Sequence, residues 1–150
     1  MIIAGIDPAT KAKDHAISIL KDNKVVVIYK SHNIPEINEI FLKWGVEKVY
    51  IENQFFSVNP KTLKDLAHET GKIMGILELL ETPYDLVAPV SWQAYHNIPR
   101  KDKSLSAYNW KKQHQSDLIY KATLLSNYVI KDDDEACSVL IALYGGQFER

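Results

Sequence analysis

Cysteine is nearly missing from this chain: Cys137 is the single one among 150 residues. A lone thiol closes no internal disulfide and builds no multi-cysteine zinc site, and it fits a reducing cytoplasm. Long apolar runs are missing too. None approaches the roughly 18 residues of a membrane span, and the N-terminus has no basic region ahead of a signal-like core, so no membrane partner is expected. No glycine-rich phosphate loop is present, which argues against an ATPase and against any nucleotide cofactor. His15, His32, His68, His96 and His114 show no metal-ligand spacing and read as ordinary surface or core residues. Internal repeats, low-complexity tracts and interdomain linkers are also lacking. A formal net charge of −1 gives no global sign of a nucleic-acid partner.

What is present is a globular composition, 46% hydrophobic and 25% charged, expected to form one domain over residues 1–150 with a real core. Charge is unevenly spread. Between Arg100 and Lys121 stand Arg100, Lys101, Lys103, Lys111, Lys112 and Lys121 against only Asp102 and Asp117, while acids gather elsewhere.

Short β-branched runs predict strands at 2–7, 16–20 and 25–29, the last two joined by the polar turn Lys21-Asp22-Asn23-Lys24. Asn33 and Pro35 open a helix carrying Ile37, Ile40, Phe41 and Trp44, stopped by Gly45. A strand over 49–52 follows, expected parallel to the first because a helix supplies the crossover. Asn59-Pro60 starts a long helix reaching Leu80, with Gly71 and Gly75 four apart; close packing against another element and simple tolerance explain them equally well. A fifth strand is expected over 84–89, then a short helix or turn from Ser91, a loop over 97–104 and two helical stretches near 104–114 and 116–127. The last helix runs from about Asp133 to Tyr144, ended by Gly145-Gly146. This order gives an α/β domain: a five-stranded mixed sheet, three antiparallel strands then two parallel ones, flanked by helices.

The carboxylates carry the chemistry. Asp7 and Glu52 end strands expected to lie side by side, at the edge where open α/β sheets bind ligands. Asp132 and Glu135 are three apart at the head of the last helix and share a face if that helix includes Asp132. Each has a plain explanation alone: acids favour the first turn of a helix, and an Asp after a strand is commonly a turn or cap residue. Asp133 and Asp134 read as cap and solvent-facing neighbours. Together the acids at element ends point to one shared site for a hard divalent cation, which takes oxygen ligands. Two such ions about 4 Å apart suit phosphodiester cleavage. The basic stretch Arg100, Lys101, Lys103, Lys111 and Lys112, with Tyr108 and Trp110 interleaved, suits tracking a phosphate backbone. A solvated basic helix face is the other reading. No base-reading motif is present, so recognition by DNA shape is favoured over a long sequence.

Gly5-Ile6-Asp7-Pro8, then Glu52-Asn53-Gln54-Phe55-Phe56 with the Asn59-initiated helix, then Asp132-Asp133-Asp134-Glu135-Ala136, resembles the RuvC-type Holliday junction resolvases of the RNase H-like superfamily. The resemblance spans residues 2 to about 144 in order and spacing. The short length resembles the phage and viral branch. It implies a catalytic, metal-binding quartet of Asp7, Glu52, Asp132 and Glu135 with two Mg²⁺ ions, for which Mn²⁺ substitutes. It further implies a homodimer formed through the helix over 60–80, acting on branched DNA by paired symmetric nicks. Phe55, with Phe56 beside it, would wedge at the junction centre. A broader branched-DNA or RNase H-like nuclease and a catalytically silent junction-binding protein are the rival readings. Three positions depart from the family pattern. Glu135 stands where Asp or His is usual, Ala9 where Gly is frequent, and a common lysine after a Gly-rich loop has no clear counterpart, Lys101 and Lys103 being candidates.

Overall fold

A computed structural model describes residues 1–54 and 59–149. The elements run β1 (Ile2–Asp7), β2 (His15–Lys21), β3 (Lys24–Ser31), α1 (Ile34–Trp44), β4 (Lys48–Glu52), α2 (Pro60–Leu79), β5 (Tyr84–Val87), α3 (Pro89–Tyr95), α4 (Ala107–Ser126) and α5 (Asp133–Gly146). The sheet order is β3-β2-β1-β4-β5. β1, β2 and β3 are antiparallel, and β4 and β5 add on parallel to β1, the mixed sheet expected from the sequence.

Local chemistry explains the boundaries. The β2–β3 turn places Asp22 and Asn23 at φ of 50° and 65°, the left-handed pair that matches hairpin twist. α1 begins where the Asn33 side chain accepts the Glu36 N–H, and it ends at Gly45, φ 59°. α2 begins at Pro60 behind Asn59, whose side chain accepts the Lys61 N–H. The two helical stretches expected over 104–114 and 116–127 are one helix, α4, capped by Ser106 and closed by left-handed Asn127. Ser116 in its middle does not break it. Gly145 and Gly146 do not end the last helix; they are its final residues. A Cβ on Gly145 would stand 2.1 Å from the Tyr50 ring, so glycine there lets the helix lie against β4.

Strand alternation sorts the sheet into two faces. Ala4, Ile6, Ile17, Ile19, Val49 and Ile51 point to the face covered by α1 and α2, packing on Ile37, Phe41, Ile73 and Leu77. The opposite face is covered by α5, with α3 and α4 outside it, in a second core of Tyr50, Trp92, Leu118, Val139 and Leu140. Gly5 lies on that second face. A Cβ there would stand 2.2 Å from the Ser138 carbonyl oxygen, so α5 rests backbone-to-backbone on β1. Among the described residues no helix is long and apolar enough to cross a membrane.

Candidate metal centre and nucleic-acid interface

Pairing fixes where the carboxylates stand. Ile6 of β1 pairs with Ile51 of β4, so Asp7 and Glu52 follow side by side at the carboxyl edge, on the α5 face. Glu52 is buried, and both its oxygens are held: Trp92 Nε1 donates to Oε2 at 2.7 Å and Gln54 Nε2 to Oε1 at 2.9 Å. The same Gln54 amide reaches Asp7 Oδ1 at 3.5 Å and the Pro8 carbonyl at 3.4 Å, bridging the two acids.

α5 runs back along β1 and brings its first turn over Asp7. Asp132 is the N-cap, its Oδ1 accepting the Glu135 N–H at 2.8 Å. Its Oδ2 takes the Lys30 ammonium at 2.7 Å, and that ammonium lies 3.8 Å from Asp134 Oδ2. Asp132, Asp133 and Asp134 each place one carboxylate oxygen within 4.8 Å of the others'. Asp134, expected to face solvent, keeps a side chain 44% exposed, and its charge bears on Asp7. Glu135 is buried, and its Oε1 accepts the Lys131 N–H at 3.0 Å. Of the four acids implied by the resemblance, the structure brings Asp7 and Glu52 directly together. Asp132 stands at the rim and Glu135 serves the helix start.

The charges strain against one another. Burial, then the charge of Glu52, then that of Asp134 hold the Asp7 carboxyl well above its usual range. Burial raises Glu52 as well, against the pull of the Trp92 and Gln54 donors. Asp132 lies low: burial would raise it, but the Lys30 hydrogen bond and its backbone partners outweigh that. Burial draws Lys30 down, yet its bond to Asp132 and the charges of Asp132, Asp134 and Glu135 leave it above an ordinary lysine. Burial and the nearby Asp7 and Glu52 charges push the Cys137 thiol well up, so it is a neutral side chain beneath the cluster. Buried carboxylates of like charge, oxygen donors throughout, fit a hard divalent cation.

Beside the acids, Pro89, Val90, Gln93, Pro99, Arg100, Lys101, Trp110 and His114 line a cleft of about 590 Å³. Lys103, Lys111 and Lys112 are exposed, the last lying 4.8 Å from the Tyr108 ring centroid. Neither Lys101 nor Lys103 has an ion-pair partner among the described residues. Phe55 and Phe56 lie outside the described residues. Gln54, Trp92 and Lys30 were not singled out from the sequence. Lys30 had no such signal: counted from the hairpin turn, Tyr29 would face Ala16, and a register shift between Ile19 and Leu20 brings Lys30 opposite Ala16, itself opposite Asp7.

At the level of sequence, no family model and no curated protein matches the chain. Solved structures do. RuvC of Thermus thermophilus in complex with a Holliday junction substrate superposes with a TM-score of 0.75 at 12% identity, covering 100% of this chain and 96% of that one. The fold is that of RuvC. Fowlpox virus resolvase, solved with its Holliday junction DNA, matches at TM-score 0.56 and 20% identity, covering 97% of this chain and 99% of that one. The yeast mitochondrial Holliday junction resolvase matches at 0.53 and 16%, over 98% and 80%. The resemblance read from three short motifs therefore extends to the RuvC architecture as a whole.

Proposed function

We propose that the protein is a metal-dependent, structure-selective endonuclease that resolves four-way DNA junctions by paired symmetric nicks. The observation that carries this is the convergence of Asp7, Glu52 and the first turn of α5 at the carboxyl edge of a RuvC fold. Superposition over nearly the full length of proteins solved on Holliday junctions supports the substrate class.

Asp7, Glu52 and Asp134 would hold the ion nearest the sheet, and Asp132, with Glu135 behind it, would complete the acidic rim. The expected ions are two Mg²⁺, with Mn²⁺ as substitute. Their chemistry, when bound, is neutralisation of phosphate charge and acidification of a water. Glu52 is kept in one orientation by Trp92 and Gln54, so it reorganises little when charge develops near it. Arg100, Lys101, Lys103, Lys111 and Lys112 would lie along the backbones of the junction arms, with Phe55 and Phe56 at its centre. Hydrolysis in this arrangement leaves a 5′-phosphate and a ligatable nick.

Paired nicks require two sites. A second copy would meet the first along α2, whose Leu79 is 88% exposed and whose Gly71 and Gly75 have open space around them. A reducing cytoplasm, in a bacterial or phage-infected cell, suits the single thiol.

The test uses end-labelled four-way junctions, three-way branches, flaps, plain duplex and RNA–DNA hybrid, with and without Mg²⁺, for the wild type and Asp7→Asn. Symmetric paired cuts confined to the four-way junction, lost in a variant that still binds it, are expected. Equal cutting of flaps and three-way branches would make it a general debranching nuclease, and cutting of the hybrid alone a ribonuclease H. Tight binding without cutting in either metal would leave a junction-binding protein.

A further inference from the structure

We infer that the cleft formed by α3, α4 and the loop joining them receives one nucleobase, unstacked from the junction strand next to the scissile phosphate, with Trp110 as its stacking face. This rests on the junction-nuclease reading above and deepens it: the cleft helps to separate branch points from plain duplex.

Two helices set the cleft beside the acidic edge. On α3, Trp92 turns inward and donates to Glu52 Oε2 at 2.7 Å, while Val90 and Gln93 of the same helix line the cleft of about 590 Å³. Val90 is 64% exposed, a large apolar side chain left in the open. From α4 come Trp110 and His114, whose rings are stacked with centroids 5.1 Å and planes 25° apart. Burial outweighs the nearby Asp117 and Asp133 charges and keeps the His114 imidazole neutral, so this pair is an uncharged aromatic wall. The next residue, Gln115, donates to Asp133 Oδ2 at 3.4 Å and ties that wall to the first turn of α5.

The chemistry of the lining selects the occupant. Val90, Pro99 and Trp110 offer apolar surface to a flat ring. Arg100 and Lys101, in the same lining, are exposed cations with no ion-pair partner among the described residues. A ligand that matches both has an apolar plane attached to anionic groups, which describes a nucleobase between its phosphates. The Gln93 carboxamide adds a donor and an acceptor for the edge of that base. A base enters only by leaving its stack. In plain duplex this costs pairing and stacking with both neighbours, and the cost is least where a base is already unpaired, as bases at a branch point readily become. Base capture therefore favours branched DNA without reading a long sequence.

The experiment measures DNA binding by fluorescence anisotropy in EDTA, where metal-dependent cutting is off. It compares the wild type with Trp110→Ala and Trp110→Phe, each checked for folding by circular dichroism. The probes are an intact four-way junction, plain duplex, and junctions carrying one abasic site moved stepwise through the nucleotides around the branch point. Trp110→Ala should weaken binding of the intact junction about 10–100-fold and of duplex little, with Trp110→Phe close to the wild type. At one position the abasic site should weaken the wild type by a similar factor and Trp110→Ala no further. Equal losses on junction and duplex, or abasic effects that multiply with Trp110→Ala at every position, would overturn the base cleft while leaving the nuclease reading standing. Weaker self-association of Trp110→Ala in sedimentation, with the abasic effects unchanged from the wild type, would give the cleft to a second copy and overturn it too. No binding of a four-way junction by the wild type, in EDTA or in Ca²⁺, would overturn the nuclease reading together with it.

Discussion

The indole N–H of Trp92 points into the sheet edge and donates to Glu52 Oε2 at 2.7 Å, with neither residue open to solvent. A buried carboxylate held this way has one direction left in which to act, towards Asp7. Trp92→Phe keeps most of the ring and removes the donor. Divalent-cation affinity, or cleavage at limiting Mg²⁺, should fall about 10–100-fold. Circular dichroism should show the fold retained. Unchanged metal affinity would mean that β4 alone orients Glu52.

The Asp7 carboxyl behaves oppositely to an acid in a stabilising ion pair. Unfolded, it loses its proton near its ordinary value of 3.8; folded, burial and the charges of Glu52 and Asp134 keep it protonated to higher pH. Between those two values the folded state binds more protons, so this group's contribution to metal-free stability falls as pH rises through the window. Asp7→Asn removes the contribution. In EDTA at pH 7 the variant should melt higher than the wild type, by about 2–4 °C for each ~1 kcal/mol relieved. The difference should shrink towards pH 4, and Mn²⁺ should stabilise the wild type much more than the variant. Scanning calorimetry at both pH values checks this.

Backbone contacts announce themselves through salt. Replacing Arg100, Lys101 and Lys111 with alanine should weaken junction binding at 0.1 M salt. The slope of log K against log salt should fall by about 1 for each side chain seated on a phosphate. All three are exposed, so stability should change little. A slope that does not move assigns them to solvent.

Two glycines should answer oppositely to alanine. At Gly5 a Cβ would lie 2.2 Å from the Ser138 carbonyl oxygen and 2.6 Å from the Ala142 nitrogen, backbone atoms with no room to yield. Gly5→Ala should cost about 3 kcal/mol or more in urea denaturation. Gly71 has open space, and alanine there should stabilise α2 by about 0.5–1 kcal/mol. If α2 joins two copies, sedimentation should at the same time show weaker association.

Much of this was legible because the signals are local. Short β-branched runs set β1 and β4, Asn33 and Asn59 are caps that work as caps, and the Asp22-Asn23 turn closes the hairpin where the sequence places it. Asp7 and Glu52 fell next to each other because parallel strands joined by a helix put their carboxyl ends at one edge. Which acid of the run 132–135 faces Asp7 depends instead on where α5 begins, since each residue turns the helix by about 100°. Asp132 has extended geometry, φ −151°, so the helix starts one residue later and it is Asp134 that comes round to β1. Trp92 was hidden for another reason: its partner lies 40 residues away on a different element, and no spacing records that contact.

The row of Lys30, Ala16, Asp7 and Glu52 has a consequence for how the chain finds its fold. A strand that pairs one residue out of step turns every side chain to the opposite face. For β1 that would drive Asp7 into the aliphatic layer under α1 and α2 and send Ile6 out among the carboxylates. For β3 it would bury the Lys30 ammonium where Tyr29 now packs. Misalignment is thus punished at its first step by a charge stranded in hydrocarbon, and the residues proposed to cut DNA also proofread the weaving of the sheet.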